Sequence, residues 1–399
     1  HRFVFEQTDG VKPIDLAMED MFGKAPRTVM TDRTVEETYE DVTYDQTQLD
    51  EYVERVLQLE AVACKDWLTN KVDRSVTGKI ARQQCQGEIQ LPLSDCGVVA
   101  LDYRGRAGIA SSIGHAPQAA LVDPAAGSVL SIAEALTNIV WAPLSEGLDS
   151  VSLSANWMWP CKNEGEDARL YRAVEACSDF ACSLGINIPT GKDSLSMTQK
   201  YGKDKVYSPG TVIISAGAEV SDIRKVVSPV LRTGVDSMVY YIDFSFDKLK
   251  LGGSAFAQSL DKIGKEVPTV QDSEYFANAF NAVQELINKE LILAGHDISA
   301  GGMITTMLEM NFANTEGGLE VSLDEIPEKD LVKILFSENP GILIQVEKTD
   351  EVEKILKKAG IAFIRLARPC DERHLLIHKD GADYQFFIDH LRDVWFESS

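Results

Sequence analysis

The sequence predicts an α+β protein built of mixed α/β layers. Three observations carry that expectation. Apolar residues recur at helical spacing through Ser128–Trp141. Apolar runs bounded by turn residues, read as strands, occur at 97–103, 151–155, 211–220 and 238–244. Strand-like and helix-like stretches interleave in both halves of the chain.

In chain order, residues 1 to about 30 carry a short apolar opening followed by P-I-D-L-A-M-E-D-M-F, the expected closing segment of a domain whose body lies outside this sequence. Residues 31–46 are acidic and threonine-rich, a connector by composition. An amphipathic helix follows from about Gln48 to Leu59. Asp123-Pro124 supplies a cap acceptor and a first-turn proline for the helix through Trp141. A long helix runs from Glu166 to Leu184 and stops at Gly185. A second domain is expected from near Ser237, with helices at about 272–289, 300–312, 328–337 and 350–359. Its strands lie at 341–346, 361–367 and 374–379, and a last helix starts near Tyr384. No short-period repeat or low-complexity tract is found.

At 399 residues there is room for two or three domains. A net charge of −23 argues against a nucleic-acid or anionic-membrane surface, but not against a nucleotide reached through a metal ion. No apolar run approaches the ~20 residues of a membrane span, and no signal peptide opens the chain. The seven cysteines are scattered, and Cys177 and Cys182 stand five apart rather than in C-x-x-C spacing. They read as free thiols in a reducing compartment.

Two polar residues interrupt the apolar helix at 128–141. Glu134 and Asn138 stand one turn apart and share a face, and two oxygen donors so placed suit Mg²⁺. The alternative is a solvated helix edge. Asp95, after Ser94 and just before a strand, could line a cleft or cap a turn. In Gly295-His-Asp-Ile-Ser-Ala-Gly-Gly302 the glycine pair opens a helix, an anion site in waiting. Asp297 could hold metal there and Ser299 could donate to phosphate, while His296 fits a buried, hydrogen-bonded role better than a proton carrier. Lys192, Asp193 and Ser194, after Gly191, could meet phosphate or simply decorate a turn. Arg82, after Asp73-Arg-Ser-Val-Thr-Gly78, could clamp a substrate phosphate or lie on the surface. Gly252-Gly253 reads mainly as packing. Walker, Rossmann, G-x-S-x-G and H-E-x-x-H patterns are missing, as is a cysteine nucleophile elbow for glutamine hydrolysis.

Taken together and in order, these stretches resemble the large, single-chain phosphoribosylformylglycinamidine synthases of purine biosynthesis. The likeness rests on D-R-S-V-T-G (73–78), L-S-D-C-G-V-V (93–99), A-E-A-L-T-N-I (133–139), L-S-A-N-W-M (153–158), G-E-D-A-R-L-Y (165–171), P-T-G-K-D-S-L-S-M (189–197) and G-H-D-I-S-A-G-G (295–302). The resemblance implies the second of two aminoimidazole-ribonucleotide-synthetase-like units. Residues 1–47 would be the tail of the first unit plus a linker, 48–225 a half-barrel N-terminal domain, and 232–396 an α+β C-terminal domain. It further implies an ATP- and glutamine-dependent ligase that phosphorylates the amide oxygen of formylglycinamide ribonucleotide and lets ammonia displace the phosphate. Magnesium would fall to Asp95, Glu134, Asn138 and Asp297, and nucleotide contacts to Ser94 and Ser299. The missing parts, including the first unit and a glutaminase, would be its partners; alone, the piece is expected to be inactive, cytoplasmic and dimeric. The family also implies two nucleotide clefts, one catalytic and one structural, and the residues here fit either. Two other readings stand beside this one: a related ATP-dependent synthetase acting on aminoimidazole ribonucleotide or selenophosphate, and a nucleotide-binding scaffold without catalysis of its own.

Overall fold

A computed structural model describes residues 1–24, 29–69 and 78–398, so most of the Asp73–Gly78 motif lies outside the described residues. Two sheets organise the chain. The first has six strands in the order Ile80–Arg82, Gly97–Ala100, Gly108–Gly114, Thr211–Val220, Ser152–Met158 and Asn187–Ser194. Neighbours run antiparallel except the last pair. The sheet stays open, consistent with half of a barrel. The second has seven strands in the order Ile292–Ile298, Gly341–Val346, Met238–Asp243, Ile364–Cys370, Gly318–Ser322, His374–Lys379 and Ala382–Phe387.

Helix Pro124–Ile139 lies on the inner face of the first sheet, capped as expected by Asp123, which accepts from the Ala125 N–H. It is buried on nearly every side, as a helix apolar all round must be. Strand Gly108–Gly114 lets it approach. Inward-facing Gly108, Ala110, Ser112 and Gly114 are small, and a Cβ on Gly114 would sit 2.2 Å from the Ser131 carbonyl oxygen. Ser112 Oγ also donates to the Ala135 carbonyl at 2.6 Å. The sequence reading passes over this strand, because its small residues lack the β-branched signature of strands.

The second sheet is covered on both faces. Tyr240, Ile242 and Ile344 join the core beneath helix Pro124–Ile139, while Val239, Tyr241 and Leu343 join a second core with Met307 and Phe336. Gln284, on helix Ser273–Asn288, donates to the Val140 and Ala142 carbonyls and accepts from Leu144 N–H, tying the two layers together. Helix Leu49–Leu57, at the head of the expected 48–225 unit, packs its apolar face into the second core, edge-on to Phe256 through Tyr52.

Two element assignments need correction. The final helix starts at Ile388, not near Tyr384, because Ala382–Phe387 is a strand folded back on His374–Lys379. The Asp380-Gly381 turn, both residues at positive φ, is the hairpin signal that apolar periodicity obscured. Lys192–Ser194, expected in a phosphate-meeting loop or a decorated turn, belong to edge strand Asn187–Ser194, which runs parallel to Ser152–Met158. The acidic connector is anchored rather than loose. Asp32 accepts from the backbone N–H groups of Gly165 and Asp167, capping helix Glu166–Ser183, and Tyr44 Oη donates to Asp330.

Glu353 pins the outer helix Thr349–Lys358 to the second sheet by accepting from Tyr240 Oη at 2.9 Å and Arg365 Nε at 2.8 Å, and it also accepts from Lys357 Nζ of its own helix at 2.9 Å. Burial alone would raise its pKa; the hydrogen bonds outweigh burial and hold it down at about 2. A carboxyl depressed on folding stabilises fully above its unfolded pKa of about 4.3 and stops doing so as pH falls through its folded value. Glu353→Gln is therefore expected to cost about 1 kcal/mol at neutral pH. In thermal melts the difference from wild type should shrink steadily as the pH is taken down towards about 2.

Candidate metal and phosphate site

The cleft is assembled where the two layers meet. Asp95 comes from the turn before strand Gly97–Ala100, and His296 and Asp297 from strand Ile292–Ile298. Helix Pro124–Ile139 presents Glu134 and Thr137, helix Gly302–Phe312 presents Glu309, and the loop before Gly341 presents Glu338. Ligand atoms of Asp95, His296 and Asp297 all lie within 4.8 Å of one another. His296 Nδ1 is 2.7 Å from Asp95 Oδ1, though off the line of a directed hydrogen bond, and Nε2 is 3.0 Å from Glu309 Oε2. Thr137 Oγ1 donates to Asp297 Oδ2 at 3.4 Å, and Glu134 Oε2 accepts from the His115 N–H at 3.1 Å.

Beside this cluster is a cavity of about 280 Å³ lined by Glu134, Thr137, Gly252, Gly253, Ser299 and Glu338 among others. Gly253 is required there by its φ of +67° and by Ala119, whose Cα would lie 2.6 Å from a Cβ. Glu338 accepts from the N–H groups of Ala255 and Gly301, both at 2.8 Å, and so faces the start of helix Gly302–Phe312.

Burial and mutual repulsion dominate the electrostatics. Asp297 is pushed well above the usual carboxylate range by burial, then by Asp95 and Glu134. Asp95 is raised by burial, against the opposing pull of His296. Burial raises Glu134 and takes Glu338 to about 7, against the N–H groups each accepts. Burial alone would depress His296, but the flanking Asp95 and Glu309 carboxylates outweigh it and hold the imidazole well above its ordinary value. Hard oxygen donors carrying more negative charge than one imidazole can offset fit a divalent cation such as Mg²⁺.

The structure thus brings Asp95 and Asp297 together with His296, and places Glu134 and Ser299 on the adjoining cavity. Asn138, one turn beyond Glu134, donates to the Ile113 carbonyl. Ser94 Oγ donates to the Gln83 carbonyl. Arg82 points to Val226 and Gln86, donating to a carbonyl and an amide oxygen. Lys192, Asp193 and Ser194 lie on the exposed edge strand, with Lys192 Nζ donating to Ser194 Oγ, and none of them lines the cavity. Sequence reasoning missed Glu309 and Glu338. Glu309 is an acid set in an apolar helical stretch, the signal that marked Glu134, whereas Glu338 stands in the polar turn Ser337-Glu-Asn-Pro340 and carries no such signal.

Residues 64–219 match the FGAR-AT PurM_N-like domain, and residues 239–375 match the AIR synthase related protein, C-terminal domain. The chain is 38% identical over 395 residues to human phosphoribosylformylglycinamidine synthase, covering 97% of this chain and 29% of that protein. It is 40% identical over 362 residues to the probable phosphoribosylformylglycinamidine synthase of Caenorhabditis elegans, covering 86% and 27%. The chain thus spans less than a third of the curated relatives it matches. Among solved structures, Thermotoga maritima PurL complexed with FGAR superposes with a TM-score of 0.66 at 16% identity, covering 86% of this chain and 53% of that one. The same enzyme complexed with ATP gives 0.57 at 15% identity, covering 74% and 46%. At such identities these two establish the shared fold.

Asp297 sits beside two other buried carboxylates, so neutralising it should relieve repulsion in ion-free protein. Asp297→Asn is expected to raise the melting temperature in chelator by about 3 °C. An unchanged or lower value in calorimetry would show that its neighbours already compensate the charge.

Proposed function

The chain belongs to the phosphoribosylformylglycinamidine synthase family, and we propose that it supplies the metal-and-phosphate half of a nucleotide cleft in that ATP- and glutamine-dependent ligase. The observation that carries this reading is the convergence of Asp95, His296 and Asp297, with Glu134 and Ser299 on the adjoining cavity. Asp95, Glu134 and Asp297 would hold Mg²⁺, with Asn138 as a further candidate. Ser299 would donate to phosphate, helped by the helix opening at Gly302. Ser94 has its hydroxyl committed to a backbone carbonyl and fits a turn-holding role better.

A bound Mg²⁺ would spread the negative charge of a transferring phosphoryl group. The chain's own residues do the rest: they fix the donors, exclude water from buried carboxylates and orient the phosphates. At about 280 Å³ the cavity is near the lower limit of small-ligand sites, ~300–1,000 Å³. It has room for an ion and phosphates, and the nucleoside would rest on other parts of a complete synthase. Those parts, including a first synthetase-like unit and a glutaminase, are the proposed partners. The complete enzyme would phosphorylate the amide oxygen of formylglycinamide ribonucleotide and let ammonia displace the phosphate, in the cytoplasm. Ile109 and Ile113, each more than half exposed on the outer face of the open sheet, favour pairing with a second such sheet. In the isolated chain that pairing would make a two-fold dimer.

Glu134→Gln and Asp297→Asn in the full-length synthase should each lower kcat by about 100-fold or more, with the fold kept by circular dichroism. Retained kcat together with a lost nucleotide-dependent rise in melting temperature would assign the cleft to a structural nucleotide instead.

A further inference from the structure

We infer that His296 and Glu309 are positioning residues that fix the Asp95 carboxylate as a cation ligand. The inference rests on the metal reading above and extends it to two side chains that need not touch the ion. His296 spans two carboxylates, with Nδ1 2.7 Å from Asp95 Oδ1 and Nε2 3.0 Å from Glu309 Oε2. Nε2 is hydrogen-bonded to Glu309, while Nδ1 sits in ion-pair contact with Asp95 and 3.7 Å from Asp297 Oδ1, so the imidazole lies as a charge bridge between carboxylates. The bridge is dry: the Asp95 and His296 side chains are 4% and 8% exposed, so water cannot readily take either place. It also joins three elements, the turn before Gly97, strand Ile292–Ile298 and helix Gly302–Phe312, the last two of which are tied as well by Thr306 Oγ1 donating to the Asp297 carbonyl.

A loop carboxylate has rotational freedom that an ion must otherwise freeze, and a buried partner on one oxygen removes it beforehand. Loss of such a partner typically weakens metal binding 10–100-fold.

The test is Mn²⁺ titration of the 399-residue chain, read by the loss of the free-ion electron paramagnetic resonance signal, with pulsed spectra of the bound ion. Wild type should bind Mn²⁺ without imidazole ¹⁴N modulation, and Asp297→Asn should abolish binding. Glu309→Ala should weaken binding about 10–100-fold, and Glu309→Gln, which keeps an acceptor for Nε2, should bind close to wild type. If Glu309→Ala does not fold, His296→Asn reads the same bridge from its other end and should show the same loss. Wild type that ignores Mn²⁺ sinks the metal reading itself. Wild type that binds while Glu309→Ala binds equally well, or that shows ¹⁴N directly coupled to the ion, overturns the positioning role alone.

Discussion

Buried negative charge is the constraint to which the rest of the molecule answers. Asp95, Glu134, Asp297 and Glu338 are carried on a turn, a helix, a strand and a loop. An isolated carboxylate in an apolar interior is expensive enough that it normally neutralises or finds a partner. Among the described residues the partners are few: one imidazole, the hydroxyl of Thr137, and backbone N–H groups from His115, Ala255 and Gly301. An arrangement this unfavourable in ion-free form persists because the surrounding layers leave the side chains no other place.

Those layers are held by ordinary packing. One sheet face and helix Pro124–Ile139 share a core with the second sheet, whose other face is closed by helix Gly302–Phe312 and its neighbours. Because the second sheet belongs to both cores, the relative placement of Glu134 and Asp297 is set by interdigitated apolar side chains. The buried amide of Gln284 adds directionality where the helix ends and its last carbonyls need donors.

Much of this was legible from residue types alone. Helix Pro124–Ile139 announced itself by apolar periodicity and by Asp123-Pro124, and Glu134 by being an acid on an otherwise buried surface. Strand Gly108–Gly114 was illegible because its residues were chosen by the helix lying over it and not by strand propensity. Lys192–Ser194 looked like a phosphate turn because Gly191 precedes them, yet pairing with Ser152–Met158 overrides that local preference. Glu309 carried the same lone-acid signal as Glu134, while Glu338 was hidden in the polar turn Ser337–Pro340. What one dimension withholds is that Glu134 and Glu338 line one cavity and that Glu309 reaches the adjoining cluster through His296.

Helix Glu166–Ser183 is capped by a side chain from outside it. Gly165 has no side chain to close that helix, and Asp32, more than a hundred positions earlier, does it instead. Residues that look like a disposable tether therefore act as a clasp, and any shortened version beginning after them would leave the first turn of a long surface helix free to fray.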